Sequence, residues 1–269
     1  MISKIKKRDN NWEKEIEISE KLKKIRNYFY RFSPIEKWSE VTLGNSTITN
    51  KNGREKTNIV CCQSRKPGKT IEEYIEDIGP TERKEEVIQS FEKYLRESIK
   101  LWNKIAPTLY LNLEPNNIRI DPINHVPIIT EFISLKQTHY PIEYYMMTSR
   151  DEFLFTAGQL FTRENAEDAF SQYYKQNDPY KIITPNEWIK MKEEYNRYII
   201  PFIGKEMREV KEMFKEEMTT WNDYTLSIVF LLIVRETINT INFSPFIEIQ
   251  KKIILSIPSE RMKYTLTNK

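Results

Sequence analysis

Glycine is scarce in this chain of 269 residues, with six copies (Gly44, Gly53, Gly68, Gly79, Gly158 and Gly204), none of them clustered. That excludes the glycine-rich phosphate cradles, which need several glycines together so that the backbone can approach the phosphate closely. Histidine is scarcer, with only His125 and His139. Two histidines and two cysteines build neither a His-rich metal centre nor a Cys/His zinc site. Cys61 and Cys62 are adjacent, a poor geometry for a structural disulfide, so a reducing, intracellular compartment is expected. The longest apolar stretch, residues 226–234, contains Ser227 and is bounded by Asp223 and Arg235. It is too short to span a bilayer, and no membrane partner is expected. The first 20 residues are highly charged, which does not fit a secretory signal peptide. Neither sign of charge dominates: 42 basic against 39 acidic residues give a net charge of +3. Such mixed charge disfavours a nucleic-acid partner.

What is present fits a globular protein. Hydrophobic residues make up 39% and charged residues 30%, enough apolar mass at this length to bury a core. Residues 11–31 carry Trp12, Ile18, Leu22, Ile25 and Phe29 at helical spacing, which predicts a helix closed by Ser33-Pro34. Residues 41–43 and 57–62 read as strands, the second rich in Val, Ile and Cys. Thr70, with Glu73 three residues on, predicts a capped short helix. Thr81 is expected to cap a long amphipathic helix that Pro107 closes. Two strand-like pieces, 117–120 and 126–130, flank a turn at 121–125 and predict a small hairpin. Residues 136–184 read as irregular and aromatic-rich. Helical stripes then run through Trp188, Met191, Tyr195, Tyr198 and Phe202, broken at Pro201, and through Met207, Val210, Phe214 and Met218. Residues 221–236 are apolar nearly all round, as in a buried central helix. A last helix is expected around 246–255, and no internal repeat is visible. The order implies an α+β chain: a small mixed unit over 1–63 and a helical one over 64–269.

The segment LYLNLEPNNIRIDPINHVPIITEFISL, residues 109–135, resembles the protein kinases. Their catalytic loop reads H-x-D-[LI]-K-P-x-N-[IV] and is followed by a hairpin and D-F-G. Pro115, Asn117, Ile118 and Phe132 keep the family's residues. Tyr110 stands at the histidine position, Asn112 at the general base, Glu114 at the lysine, Glu131 at the metal-binding aspartate and Ile133 at the glycine. NIVCCQSRKPGKTIEEYI looks like the last small-lobe strand, the hinge and the next helix. TWNDYTLSIVFLLIV looks like the central buried helix, with Asn222 at its aspartate and Asp223 alongside. SIPSERMKYT looks like the closing P-x-x-R-x-T element, with Arg261 as its arginine. No A-P-E element is recognisable between residues 133 and 221. In this register Lys4 is the strand lysine and Glu15 its partner, so the first two strands and the glycine loop have no counterpart. The general tone is similar to divergent serine/threonine kinase relatives of large DNA viruses, which implies host cytoplasm or a virion as the setting.

The resemblance implies a bilobal kinase-like fold with a truncated small lobe and a mainly helical large one. It also implies lost chemistry. The amide of Asn112 has no usable basicity. Glu114 repels developing phosphate charge where a lysine would stabilise it. Glu131 and Asn117 keep oxygens suited to a metal ion, and Lys4, Glu15 and Asn117 are the nucleotide-binding candidates. Phe132, Asn222, Asp223 and Arg261 are expected to be structural. The bland readings stand beside these: Lys4 as part of a solvated basic N-terminus, Glu15 as a surface helix charge, Asn117 as a local backbone cap, and Glu131 as an ordinary strand-ending residue. The expectation is a pseudokinase that binds or regulates a protein partner, with no cofactor. The alternatives are a divergent active kinase using ATP and Mg²⁺, and a helical interaction protein lacking the hairpin. A missing first hairpin would leave a sheet edge, which a partner chain or a local helix is expected to cover.

Overall fold

Three strands near the N-terminus form one antiparallel sheet in the computed structural model, which describes residues 1–7, 10–40, 59–64, 68–106, 111, 113–132, 139–148, 159–177, 182–238 and 244–266. Strand β1 (Ile2–Lys7) and strand β2 (Ile35–Glu40) both pair with the central strand β3 (Ile59–Ser64), in the order β1-β3-β2. The β1 register runs from Ile2↔Ser64 to Lys7↔Ile59. Among the described residues no further strand pairs with the outer side of β1.

Helix α1 (Asn10–Lys23) lies between β1 and β2 in sequence and buries Trp12, Ile18 and Leu22. Trp12 packs with Ile35, Val60 and Cys62 of the sheet, while Ile18 and Leu22 join a larger core. The helix is shorter than the spacing predicts. It ends at Lys23, Asn27 turns into the left-handed region at φ 64°, and only a short 3-10 turn covers Tyr28–Tyr30. Phe29, expected on the buried stripe, is therefore exposed. The strand after Ser33-Pro34 was not evident as one: Ile35–Glu40 pairs with β3, whereas the expected strand at 41–43 lies outside the described residues. Positions 57 and 58 lie outside them too, and β3 runs two residues further, to Ser64.

The rest is mostly helical, so the fold class is α+β. Helix α2 (Ile71–Asp77) has the expected box, in which Thr70 Oγ1 accepts from Glu73 N and the Glu73 carboxylate accepts from Thr70 N. Helix α3 (Thr81–Ile105) is capped by Pro80 rather than Thr81, which is the first helical residue. The hairpin of β4 (Ile118–Ile120) and β5 (Pro127–Ile129) forms as expected. Helix α4 (Ile142–Thr148) and helix α5 (Arg163–Asn177) replace much of the stretch that reads as irregular. The core face of α5 is small and spaced, with Ala166, Ala169, Phe170 and Tyr173 buried, so its apolar signal is weak. Helices α6 (Pro185–Tyr198), α7 (Met207–Glu217), α8 (Trp221–Thr237), α9 (Ser244–Leu255) and α10 (Pro258–Leu266) follow.

Helix α8 is apolar all round for a definite reason: two cores meet on it. Leu226, Val229, Phe230 and Ile233 pack with α1, α2, α3 and the hairpin. Tyr224, Ile228 and Leu231 pack with α4, α5, α6 and α7. Each face of one helix thus closes a different apolar cluster. Among the described residues no helix is long and apolar enough to cross a membrane.

Candidate functional site

The hairpin is stitched to the N-terminal unit by backbone bonds. Ser33 N donates to Ile129 O at 2.9 Å, and Ile129 N donates to Arg31 O at 3.0 Å. Phe132 follows and is buried, stacked on Trp102 with ring centroids 5.7 Å apart and set against Phe32 at 6.1 Å. That aromatic anchor fixes its neighbour Glu131 at the edge of the sheet. The Lys4 ammonium then donates to Glu131 Oε1 at 2.9 Å, across 127 residues of sequence. The side chains are 43% and 38% exposed, so the pair lies in solvent and is worth about 0–1 kcal/mol.

Two residues singled out in different parts of the sequence thus meet. A third is close: the Asn117 carbonyl accepts from Thr130 N at 2.9 Å and Thr130 Oγ1 at 3.1 Å, one residue before Glu131. Asn117 N in turn donates to Glu114 O at 2.8 Å, so the main chain of Asn117 ties the 3-10 turn to the end of the hairpin. The expected Lys4–Glu15 pair does not form. Lys4 gives its ammonium to Glu131, and Glu15 is buried on α1. A strand lysine reaches whichever carboxylate the sheet turns it towards, and here that is the one held by Phe132.

The loop before the 3-10 turn is held from α8. Asn222 Oδ1 accepts from Leu111 N at 2.8 Å, and Asn222 Nδ2 donates to Asn103 Oδ1 at 3.0 Å. Leu111 and Leu113 are buried and Glu114 is half-buried. Tyr110, Asn112 and Ile133 lie outside the described residues. Asp223 accepts from Arg96 Nη1 at 2.8 Å, and Arg96 also bonds Glu92, Ser227 and Gln250. Burial pushes the Asp223 carboxyl above its ordinary value, against the pull of Arg96.

Arg261 has the densest surroundings. Its Nη2 donates to Glu143 Oε1 at 3.2 Å, Tyr195 Oη at 3.0 Å and Ser256 O at 3.0 Å, and its Nη1 to Thr220 Oγ1 at 3.1 Å. Tyr195 Oη donates to Glu143 Oε1 at 2.6 Å. Burial opposes the charged guanidinium, yet Glu143 and the tyrosines around it hold its pKa above the usual value. Burial first and Glu143 second push the Tyr195 hydroxyl well up. Glu143 was missed from the sequence. A carboxylate inside the apolar run PIEYYMM is the signal that would have marked it.

Chemically, these residues offer a cation (Lys4) and a carboxylate (Glu131), with Asn117 one hydrogen bond away through Thr130. Lys4 and Glu131 occupy one another, so either is free for a ligand only when the other lets go. No protein-family model matches the chain, and no curated protein matches it.

Proposed function

We propose that this chain is a protein kinase-like pseudoenzyme, with a reduced small lobe over 1–63 and a helical large lobe over 64–269, that works by binding a protein partner and transfers no phosphate. The observation that carries the reading is the Lys4–Glu131 pair at 2.9 Å. In the protein kinases a strand lysine and the aspartate before Phe-Gly serve one nucleotide site, and here the residues at those two positions touch. Asn222 supports it by gripping Leu111, in the stretch that corresponds to the catalytic loop.

The same residues argue against transfer. Glu131 shares one carboxylate oxygen with Lys4, so a metal ion there would compete with an ammonium for that oxygen. Glu114 sets a negative charge where the family has a lysine, and Asn112 has no basicity to orient a hydroxyl. These parts act as a unit, so joint loss leaves little rate.

The test is melting with millimolar ATP, with and without Mg²⁺, followed by a γ-phosphate transfer assay. A ligand at 100 times its Kd adds about 2.7 kcal/mol, or roughly 5 °C or more at this size. The expected result is no Mg²⁺-dependent shift and no transfer. Transfer abolished by Glu131→Ala would overturn the reading and favour a divergent active kinase.

A further inference from the structure

At the far end of the β4–β5 hairpin from Asn117 and Glu131, a cavity of about 500 Å³ opens between the hairpin turn, α2 and the start of α3. That volume suits a small molecule. We infer that it is a binding site for a small planar carboxylate, seated against the Tyr74–His125 ring pair with its anionic group towards Arg83.

The shape is built from the backbone outwards. Ile120 N donates to Lys69 O at 2.9 Å, and Thr70 bridges to Arg119, so the segment before α2 runs along β4 as one wall. Gly68 is required there, because a Cβ on it would lie 2.2 Å from Ile120 O. The turn is held by Asp121, whose Oδ1 accepts from Ile123 N at 2.8 Å and whose backbone carbonyl accepts from His125 N at 2.9 Å. His125 adopts the left-handed region at φ 54°, uncommon for a residue with a side chain, and its ring rests on Tyr74 with centroids 6.0 Å apart. Strain of this kind clusters at ligand sites. Ile78, Ile120 and Pro122 make the remaining lining largely apolar.

The charges decide the ligand. Lys69 and Asp77 neutralise one another in an ion pair. Asp121 is buried, with its carboxylate given to its own turn. Among the lining residues this leaves Arg83, exposed and with no hydrogen bond or ion pair of its own. It stands in the first turn of the 25-residue helix α3, where the peptide dipoles add a further positive contribution. A guanidinium and a pair of rings lining one cavity suit a flat anion: the fork binds the carboxylate and the rings take the planar body. The inference does not depend on the kinase reading.

The experiment is calorimetric titration with 2-naphthoate as the anionic probe and 2-naphthamide as its neutral match. The expected result is naphthoate binding at least ten-fold tighter than naphthamide. Arg83→Glu should weaken naphthoate at least ten-fold and leave naphthamide within two-fold. Gly79→Phe should weaken both, because a Cβ on Gly79 meets nothing within 4 Å and the ring enters open space. Neither variant should shift the melting temperature, since both sites are exposed. Equal binding of the two probes, naphthoate binding indifferent to either substitution, or no binding of naphthoate at millimolar concentration would each overturn the site.

Discussion

The Lys4–Glu131 pair and the Arg261–Glu143 pair are alike in length, 2.9 and 3.2 Å, and in sequence separation, 127 and 118 residues. Their surroundings are opposite. The first is more than a third exposed on both sides, while the second is wholly buried and shared with Tyr195, Thr220 and Ser256. Water stands ready to replace either partner of the exposed pair. Nothing replaces a partner of the buried one, because the vacated group would sit uncompensated in a low-dielectric core. The exposed pair can therefore be given up for a ligand or partner, and the pair in the helical body cannot. Lys4 and Glu131 are held loosely, and Arg261 and Glu143 are held hard.

Substitutions sharpen that contrast in order of size. Arg261→Ala should cost about 3–5 kcal/mol in urea unfolding, because Glu143 is left buried and unpaired. The double variant Arg261→Met with Glu143→Leu should recover most of that loss, since the buried charge goes as well. Asn222→Leu comes next, at about 1–3 kcal/mol by the same measurement, for it orphans Leu111 N and Asn103 Oδ1 together. Lys4→Met should cost no more than about 1 kcal/mol. A double-mutant cycle with Glu131→Gln should give a coupling that fades in 1 M salt, where charges are screened within about 3 Å. A salt-resistant coupling above roughly 2 kcal/mol, of the size contacting residues reach, would erase the distinction between the two pairs.

Much of the architecture was legible because it is local. Apolar spacing marks α3 and α6, Thr70 with Glu73 marks α2, and the turn between 117–120 and 126–130 marks the hairpin. What was illegible is either weakly apolar or long-range. IEKWSE is a strand with an exposed Trp38, and α5 hides its face behind two alanines. Lys4 is drawn to Glu131 rather than Glu15 by a fold that places β1 beside the hairpin mouth, which no spacing rule encodes. Glu143 stands out locally as a carboxylate in an apolar run, but its partner Arg261 lies on another helix and no spacing rule names it. Arg83 was not singled out at all. Only the cavity it shares with Tyr74 and His125 gives it meaning.

The distance between Glu143 and Arg261 also has a history in time. A ribosome adds about 5–20 residues each second, so the 118 residues between them take roughly 6–24 s to make. For that interval the carboxylate has no guanidinium to pair with. Helix α4 can bury Glu143 as half of an ion pair only once Arg261 of α10 has been made.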